Sequence, residues 1–321
     1  MTDPRILARI ERESGGAGLL EPLSERLAQS ELSSLLIEVA ARRSAKRAPR
    51  ELLAQYASDR FVRPSRADAR VLLRVERAAL EALPTSYTPL VLSPLAPLGT
   101  CSVVATASQN KIVSTVRGTE VISDATNVLA LESATRRLAS RDGGPVRLAA
   151  SARMTRAQAL ARPEHSAHFQ LFVTTIAGRD PGGRRLQTEG LIEAITTQLT
   201  MLRALASEGF ACARARVTLS PDEEHTRVAR DAASTIGERF ADVPIAVDGT
   251  RIAKSGYYRG LCFGVHVEHE GESFPIGDGG LTDWLAKLTS SRKERFLVGA
   301  MGTELLATLL APRGRLVPPP A

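Results

Sequence analysis

The chain has 321 residues, of which 43% are hydrophobic, 24% charged and 4% aromatic, with a formal net charge of +7; this is the balance of a soluble globular protein able to bury a substantial core in one large domain or two modest ones. Its three cysteines, Cys101, Cys212 and Cys262, stand far apart with no CxxC pair, which excludes a disulfide framework and a structural zinc site and suits a reducing cytoplasm; with no apolar leader and no run able to span a bilayer, a cytoplasmic protein without membrane contact is expected. Arginine supplies most of the positive excess, and basic residues are concentrated only at Arg42, Arg43, Lys46, Arg47 and Arg50; with so few rings to stack on bases, the charge reads as a solvated surface rather than a nucleic-acid site.

Apolar residues at helical spacing (Leu19, Leu23, Leu27, Leu32, Leu35, Leu36, Val39) predict a helix over 19–43. Residues 44–49 interrupt it, and 51–56 offer one more short helical turn. Ser65 or Asp68 then caps a stronger helix whose apolar face runs Val71, Leu72, Val75, Ala79, Leu80 and Leu83, and Pro84 ends it. The proline-rich TPLVLSPLAPLGT is expected to be extended, at a sheet edge or a subunit contact. KIVSTVR (111–117) and TEVIS (119–123) have β-branched strand character. A helix is expected over 126–138, then strands over 146–156 and 168–177 around a polar loop. A long amphipathic helix follows over 187–207, a strand over 213–219 and a helix over 223–240. Strands over 257–268, 272–276 and 295–298 and a helix over 303–310 complete the series. Neighbouring strands with helices beside them indicate an α+β fold with a largely antiparallel sheet. The expected division is a helical N-terminal extension over 1–65 and a core domain over 66–321.

Six segments between residues 67 and 310 carry a resemblance through their order. A helix leading into a proline-containing stretch (67–97) precedes EVISDATNVLALESATRR, then RMTR with a loop and HFQLF, then GYYRGLCFGVHVE, IGDGGLTDWL and LVGAMGTELLATLL. Together they resemble the catalytic core of the class II histidyl-tRNA synthetases. The first is similar to motif 1, which implies a homodimer formed through it. The second is similar to the segment that faces the amino-acid ammonium group, with Asp124 and Thr126 at the matching positions. The third resembles motif 2, in which Arg156 would be the catalytic arginine touching both carboxylate and ATP, Gln158 a second ATP position and Gln170 an amino-acid contact. Tyr257 and Tyr258 match the paired tyrosines of one histidine signature; Gly279, Gly280 and Asp283 match the glycine-rich turn of the other. The last segment resembles motif 3, with Gly302 and Glu304 matching and Glu304 implied at ATP. The resemblance implies an antiparallel sheet flanked by helices, an amino-acid ligand, and ATP with Mg²⁺ as the cofactor of the parent reaction; it implies no metal site of its own.

The departures bear on activity. Motif 3 follows its glutamate with an arginine where Leu305 stands, Gln158 replaces a glutamate, and Ala253 replaces the arginine four residues before the tyrosine pair. Arg251 and Lys254 are near that position but out of register. Leu281 and Thr282 replace the arginine and tyrosine of the glycine turn. The sequence closes soon after the motif 3-like segment, so no anticodon-binding domain is expected. Adenylation needs cations where phosphate charge develops, and losing one costs about 10²–10³ in rate. The anatomy is similar to that of the synthetase-like regulatory subunit of ATP phosphoribosyltransferase, which binds histidine without loading tRNA. The expected function is therefore a histidine- or amino-acid-binding regulatory or accessory subunit with a partner enzyme. The alternative is an ATP-dependent ligase that activates a small carboxylate for a non-tRNA acceptor, and the third reading is an RNA-binding factor using the basic N-terminal helices.

Each residue also has a plainer role. Asp124 and Thr126 fit a helix cap, and Arg156 fits a salt-bridged strand residue. Strand alternation would send the Tyr257 and Tyr258 rings to opposite faces, so that one of them lines a pocket. His165 and His168 are expected to hydrogen-bond within the motif 2-like loop, and His266 and His269 to face opposite sides of a strand.

Overall fold

The structure, a computed structural model, describes residues 3–16, 18–105, 107–140, 143–158, 166–252 and 256–312. The chain divides into two compact units: Met1–Pro64, Pro94–Ser123 and Thr155–His168 in one, Ser65–Ser93, Asp124–Met154 and Phe169–Ala321 in the other. Two later segments group with the N-terminal helices, so neither unit is continuous in sequence.

In the first unit, α1 (Pro4–Ser14), α2 (Gln29–Ser44) and α3 (Pro49–Ser58) contain no buried residue. The helical extension expected over 1–65 singles out no separate helix at α1. Local signals account for it: the Asp3 carboxylate accepts from Arg5 N, Pro4 opens the first turn and Gly15 closes the last in the left-handed conformation. The single helix expected over 19–43 is split. Leu27 and Ala28 are extended between a π-helical turn at Pro22–Arg26 and α2, and Glu31 reaches back 2.9 Å to Ala28 N, which starts a new helix. Strand β2 (Leu95–Pro97) pairs antiparallel with β3 (Thr119–Val121). The strand expected over 111–117 reduces to a single bridge, Ser114 to Glu120. Gly118 at φ 69° reverses the chain, and the wholly buried Glu120 carboxylate accepts from Gly99 N, Cys101 N and Gln109 Nε2 at 2.8, 2.9 and 3.2 Å. Its side chain thus ties the turn after β2 instead of extending a ladder.

The second unit is built on an eight-stranded sheet. Its order is β1 (Thr88–Leu90), β4 (Val146–Thr155), β5 (His168–Arg179), β10 (Glu294–Met301), β9 (Glu272–Thr282), β8 (Leu261–His269), β6 (Ala215–Pro221) and β7 (Ile245–Val247). The pairs β5–β10, β10–β9, β9–β8 and β8–β6 are antiparallel, and the two rim pairs β1–β4 and β6–β7 are parallel. The fold is the α+β, largely antiparallel one that the pattern predicts, and the proline-rich stretch supplies a sheet edge at β1. Among the described residues no helix is long and apolar enough to cross a membrane.

Alternation along the central strands sorts two faces. One carries Phe172, Ile176, Leu297, Met301, Phe263 and Val265 into the main core with α6 (Arg185–Ser207), and α4 (Ala69–Glu81), α7 (Thr226–Arg239) and α9 (Thr303–Leu309) pack on that side. The α4 helix starts at Asp68, whose carboxylate accepts from Arg70 N at 2.8 Å. The other face carries Asp278, Gly280, Val298, Ala300, Cys262 and Gly264, as the pairing register requires. It receives α5 (Ala125–Ala139) and α8 (Trp284–Leu288), with Trp284 buried 6.1 Å from the Phe296 ring.

Candidate functional site

The site is built on this second face. Asp124 is extended and caps α5, its Oδ1 accepting from Thr126 N at 3.0 Å and from Thr126 Oγ1 at 2.7 Å. The Tyr257 hydroxyl donates to Asp124 Oδ2 at 2.7 Å and lies 3.1 Å from Thr126 Oγ1. The same residues therefore serve as a helix cap and as a polar cluster joined to a segment more than a hundred residues away in sequence. Tyr257 is held from two sides, its ring centroid 4.9 Å from both Tyr258 and Trp284 in edge-on contacts.

Tyr258 leads to a second charged pair. Arg251 stands over its ring, 5.8 Å from the centroid, and reaches Asp278 Oδ2 at 2.6 Å and the Phe263 carbonyl at 2.8 Å. Two glycines make room for this layer. A Cβ on Gly280 would lie 2.8 Å from Tyr258 Cδ1, and one on Gly264 would lie 2.9 Å from Arg251 Nη1 and 3.2 Å from His266 Nε2.

Burial raises the Tyr257 phenol well above its usual range, reinforced by the Asp124 charge, so the hydroxyl remains a donor. Burial likewise raises Tyr258, with Asp278 adding to the rise and Arg251 opposing it. Burial also raises the Cys262 thiol, which keeps it a protonated, weak nucleophile. His266 is pushed down by burial and then by Arg216 and Arg251, and so stays neutral. Among the described residues no group of three or more His, Cys, Asp or Glu side chains could hold a metal ion. The cluster thus gathers two carboxylates, a guanidinium and two phenols on one face of the sheet, with Asp124 bonded to Thr126 and Tyr257 and Asp278 paired with Arg251.

Of the residues predicted from sequence, Asp124, Thr126, Tyr257, Tyr258 and Gly280 come together. The tyrosines precede β8 instead of opening it, which is why both rings lie in one cluster rather than on opposite faces. Gly279 and Gly280 lie inside β9, not in a turn; Gly279 pairs with Phe263, whose ring covers it on the core side. Gln170 shares its face with Phe172 and so points away from the cluster: its Nε2 donates to Glu76 at 2.7 Å and Ser151 at 3.1 Å. Glu304 is buried, accepting from Arg153 at 2.7 Å, Ser65 at 2.5 Å and Gln170 N at 3.1 Å. A carboxylate so engaged does not fit the nucleotide contact implied for it.

Arg156 and Gln158 belong to the first unit, where Arg156 Nε donates to the Ser123 carbonyl at 2.9 Å. The His168 ring bonds the Arg63 carbonyl at 2.7 Å while its backbone N donates to Ser166 Oγ in its own loop at 3.3 Å, and His165 and Lys254 lie outside the described residues. His269 sits at the β8–β9 hairpin, 3.8 Å from Glu270. Asp283 begins α8 and pairs with Lys287 at 3.0 Å. Sequence reasoning missed Asp278 and Trp284. A charged residue inside a glycine run and the chain's one tryptophan were the available signals.

No family model matches the sequence, and no curated protein matches it either. Solved structures do. An ATP phosphoribosyltransferase regulatory subunit/histidyl-tRNA synthetase from Bacillus halodurans superposes with a TM-score of 0.56 at 14% identity, over 78% of this chain and 83% of that one. The histidyl-tRNA synthetase of S. aureus gives 0.56 at 12% identity, over 74% and 65%. A structure described as the RNA binding domain of threonyl-tRNA synthetase from Cryptosporidium parvum gives 0.55 at 13%, over 75% and 64%. The polypeptide folds as the class II, histidyl-tRNA synthetase-like proteins do.

Proposed function

We propose that the chain is a synthetase-like binding protein that takes histidine or a related amino acid at Asp124, Thr126 and Tyr257 and acts as a regulatory or accessory subunit of a partner enzyme, not in tRNA charging. The observation that carries the reading is the Asp124–Thr126–Tyr257 cluster. In this reading the Asp124 carboxylate receives the amino-acid ammonium, as the sequence resemblance implies, and Arg251, on the same face and paired with Asp278, turns to the ligand carboxylate. Against adenylation stand Leu305 and Ala253 at two positions where the resembled family has arginines, and the engagement of Glu304 by Arg153. A homodimer through the motif 1-like segment at 67–97 belongs to this proposal, as does a cytoplasmic location; a nucleic-acid ligand does not. Isothermal titration with an amino-acid panel tests it. Binding of at least one amino acid is expected, weakened by Asp124→Asn by about tenfold or more, as for a lost charge-assisted hydrogen bond. No heat with any amino acid, beside clear heat with ATP, would remove the proposal.

A second reading has one observation in its favour, the Arg251 guanidinium on the site face. It is an ATP- and Mg²⁺-dependent ligase activating a small carboxylate. ATP–pyrophosphate exchange decides between the two: exchange that Arg156→Ala abolishes supports the ligase.

A further inference from the structure

We propose that the α2–α3 segment is a docking surface for an acidic amphipathic helix of another protein. On α2, Leu32, Leu35, Leu36 and Val39 fall within one third of a helical turn, and Arg43 continues that stripe at its C-terminal end. Leu35 and Val39 are 43% and 44% exposed, and on α3 Leu52, Leu53 and Tyr56 are 52%, 68% and 49% exposed. An apolar stripe of this kind normally faces a core; here Leu32 and Leu36 are half-buried, Leu35 and Val39 remain exposed, and no residue of either helix is fully buried.

Charge selects the occupant. Between Glu38 and Glu51 the chain has five cations and no acid. Arg42 pairs with Glu38 at 2.7 Å, and Arg47 bonds Gln55 at 2.7 Å. Arg43, Lys46 and Arg50 have no acidic partner among the described residues, and Arg50 precedes Leu53 by one helical turn. A second copy of this chain would set the same cations against one another. A nucleic acid would satisfy the cations but leave the leucines in water, with Tyr56 and Phe61 the only rings in residues 1–64. An amphipathic helix with leucines on one stripe and glutamates beside it satisfies both parts.

The test uses the full chain and a labelled leucine–glutamate heptad peptide, read by fluorescence anisotropy. That peptide is expected to bind at least about tenfold tighter than its leucine–lysine counterpart, a preference of the size that electrostatic complementarity supplies, and to weaken as salt rises. The triple variant Arg43→Glu, Lys46→Glu, Arg50→Glu should invert the preference, and Leu35→Asp with Leu53→Asp should abolish binding of both peptides, with unchanged circular dichroism in each variant. Equal binding of the two peptides overturns the proposal. So does a concentration-dependent dimer that Leu35→Asp with Leu53→Asp dissolves, or displacement of the peptide by a single-stranded RNA oligonucleotide that binds more tightly.

Discussion

The N-terminal helices and the sheet unit are both ordered by the sequence, but by different forces. Helices α1, α2 and α3 rest on contacts a few residues long: the Asp3 cap, the back-bonds from Glu31 and Glu51 to Ala28 N and Ala48 N, and the pairing of Glu38 with Arg42. Each such contact is worth only a few tenths to about 1 kcal/mol. The sheet unit instead buries Phe263, Phe296, Ile176, Leu199 and Trp284 almost completely, at about 1.5–3 kcal/mol for each large apolar side chain. Local signals alone can therefore write a helix, whereas the pairing of β10 with β5 joins residues more than a hundred positions apart, from Glu294 with Arg179 to Met301 with Phe172.

The largest expected effect on this contrast comes from Phe263→Ala, which empties the core side of Gly279 and should cost about 3–5 kcal/mol in urea unfolding; a loss under about 1 kcal/mol would show that the sheet is not the stabilising element. Next is the buried Arg137–Glu294 pair, 2.9 Å apart, with Arg179 3.0 Å away on the same carboxylate. Burial alone would raise Glu294, but Arg137 and Arg179 outweigh it and hold the carboxyl below its ordinary value. Its contribution is therefore complete above the unfolded glutamate range and disappears as pH falls through the lowered native value. Arg137→Met should destabilise by about 3 kcal/mol at neutral pH and flatten the acid limb of the stability–pH curve; an unchanged limb would assign acid sensitivity elsewhere.

A smaller loss, about 1–3 kcal/mol, is expected from Gly280→Ala, whose methyl would press on Tyr258 and the Leu261 carbonyl. Because Trp284 is the chain's only tryptophan and lies 4.9 Å from Tyr257, its fluorescence should shift in that variant, and in Tyr257→Phe with a stability change of about 1 kcal/mol. At the bottom of the scale, Leu53→Ala should move the isolated chain by no more than about 0.5 kcal/mol. A larger loss would mean that α3 already has a packing partner within the chain.

Much of the fold is legible in hydrophobic period. The 187–207 helix is observed at Arg185–Ser207, and the 146–156 strand at Val146–Thr155. The errors occur where side chains act at a distance. Nothing between residues 111 and 117 announces that Glu120 will be drawn into the turn at Gly99–Cys101. IGDGG reads as a turn because glycine usually marks one. Here the glycines are strand residues kept small by the backbones at Val298 and Leu261 and by the Phe263 and Tyr258 rings, which arrive from β8 and the segment before it. The site was half legible for the same reason. Asp124 and Thr126 carry a local cap signal, but the face on which Gln170 lies depends on strand phase, and Arg251 meets Asp278 across 27 positions. No pattern along the chain encodes that meeting.

The two rims of the sheet have a consequence for life at high concentration. Each rim ends in a three-residue strand, Thr88–Leu90 and Ile245–Val247, the first with Pro89 in its middle. An unpaired row so short, and missing a donor, offers an incoming strand few hooks, so the broad sheet resists growing into a ribbon shared between molecules. Fibril growth from this sheet would begin with a rim strand peeling away, not with addition to its native edge.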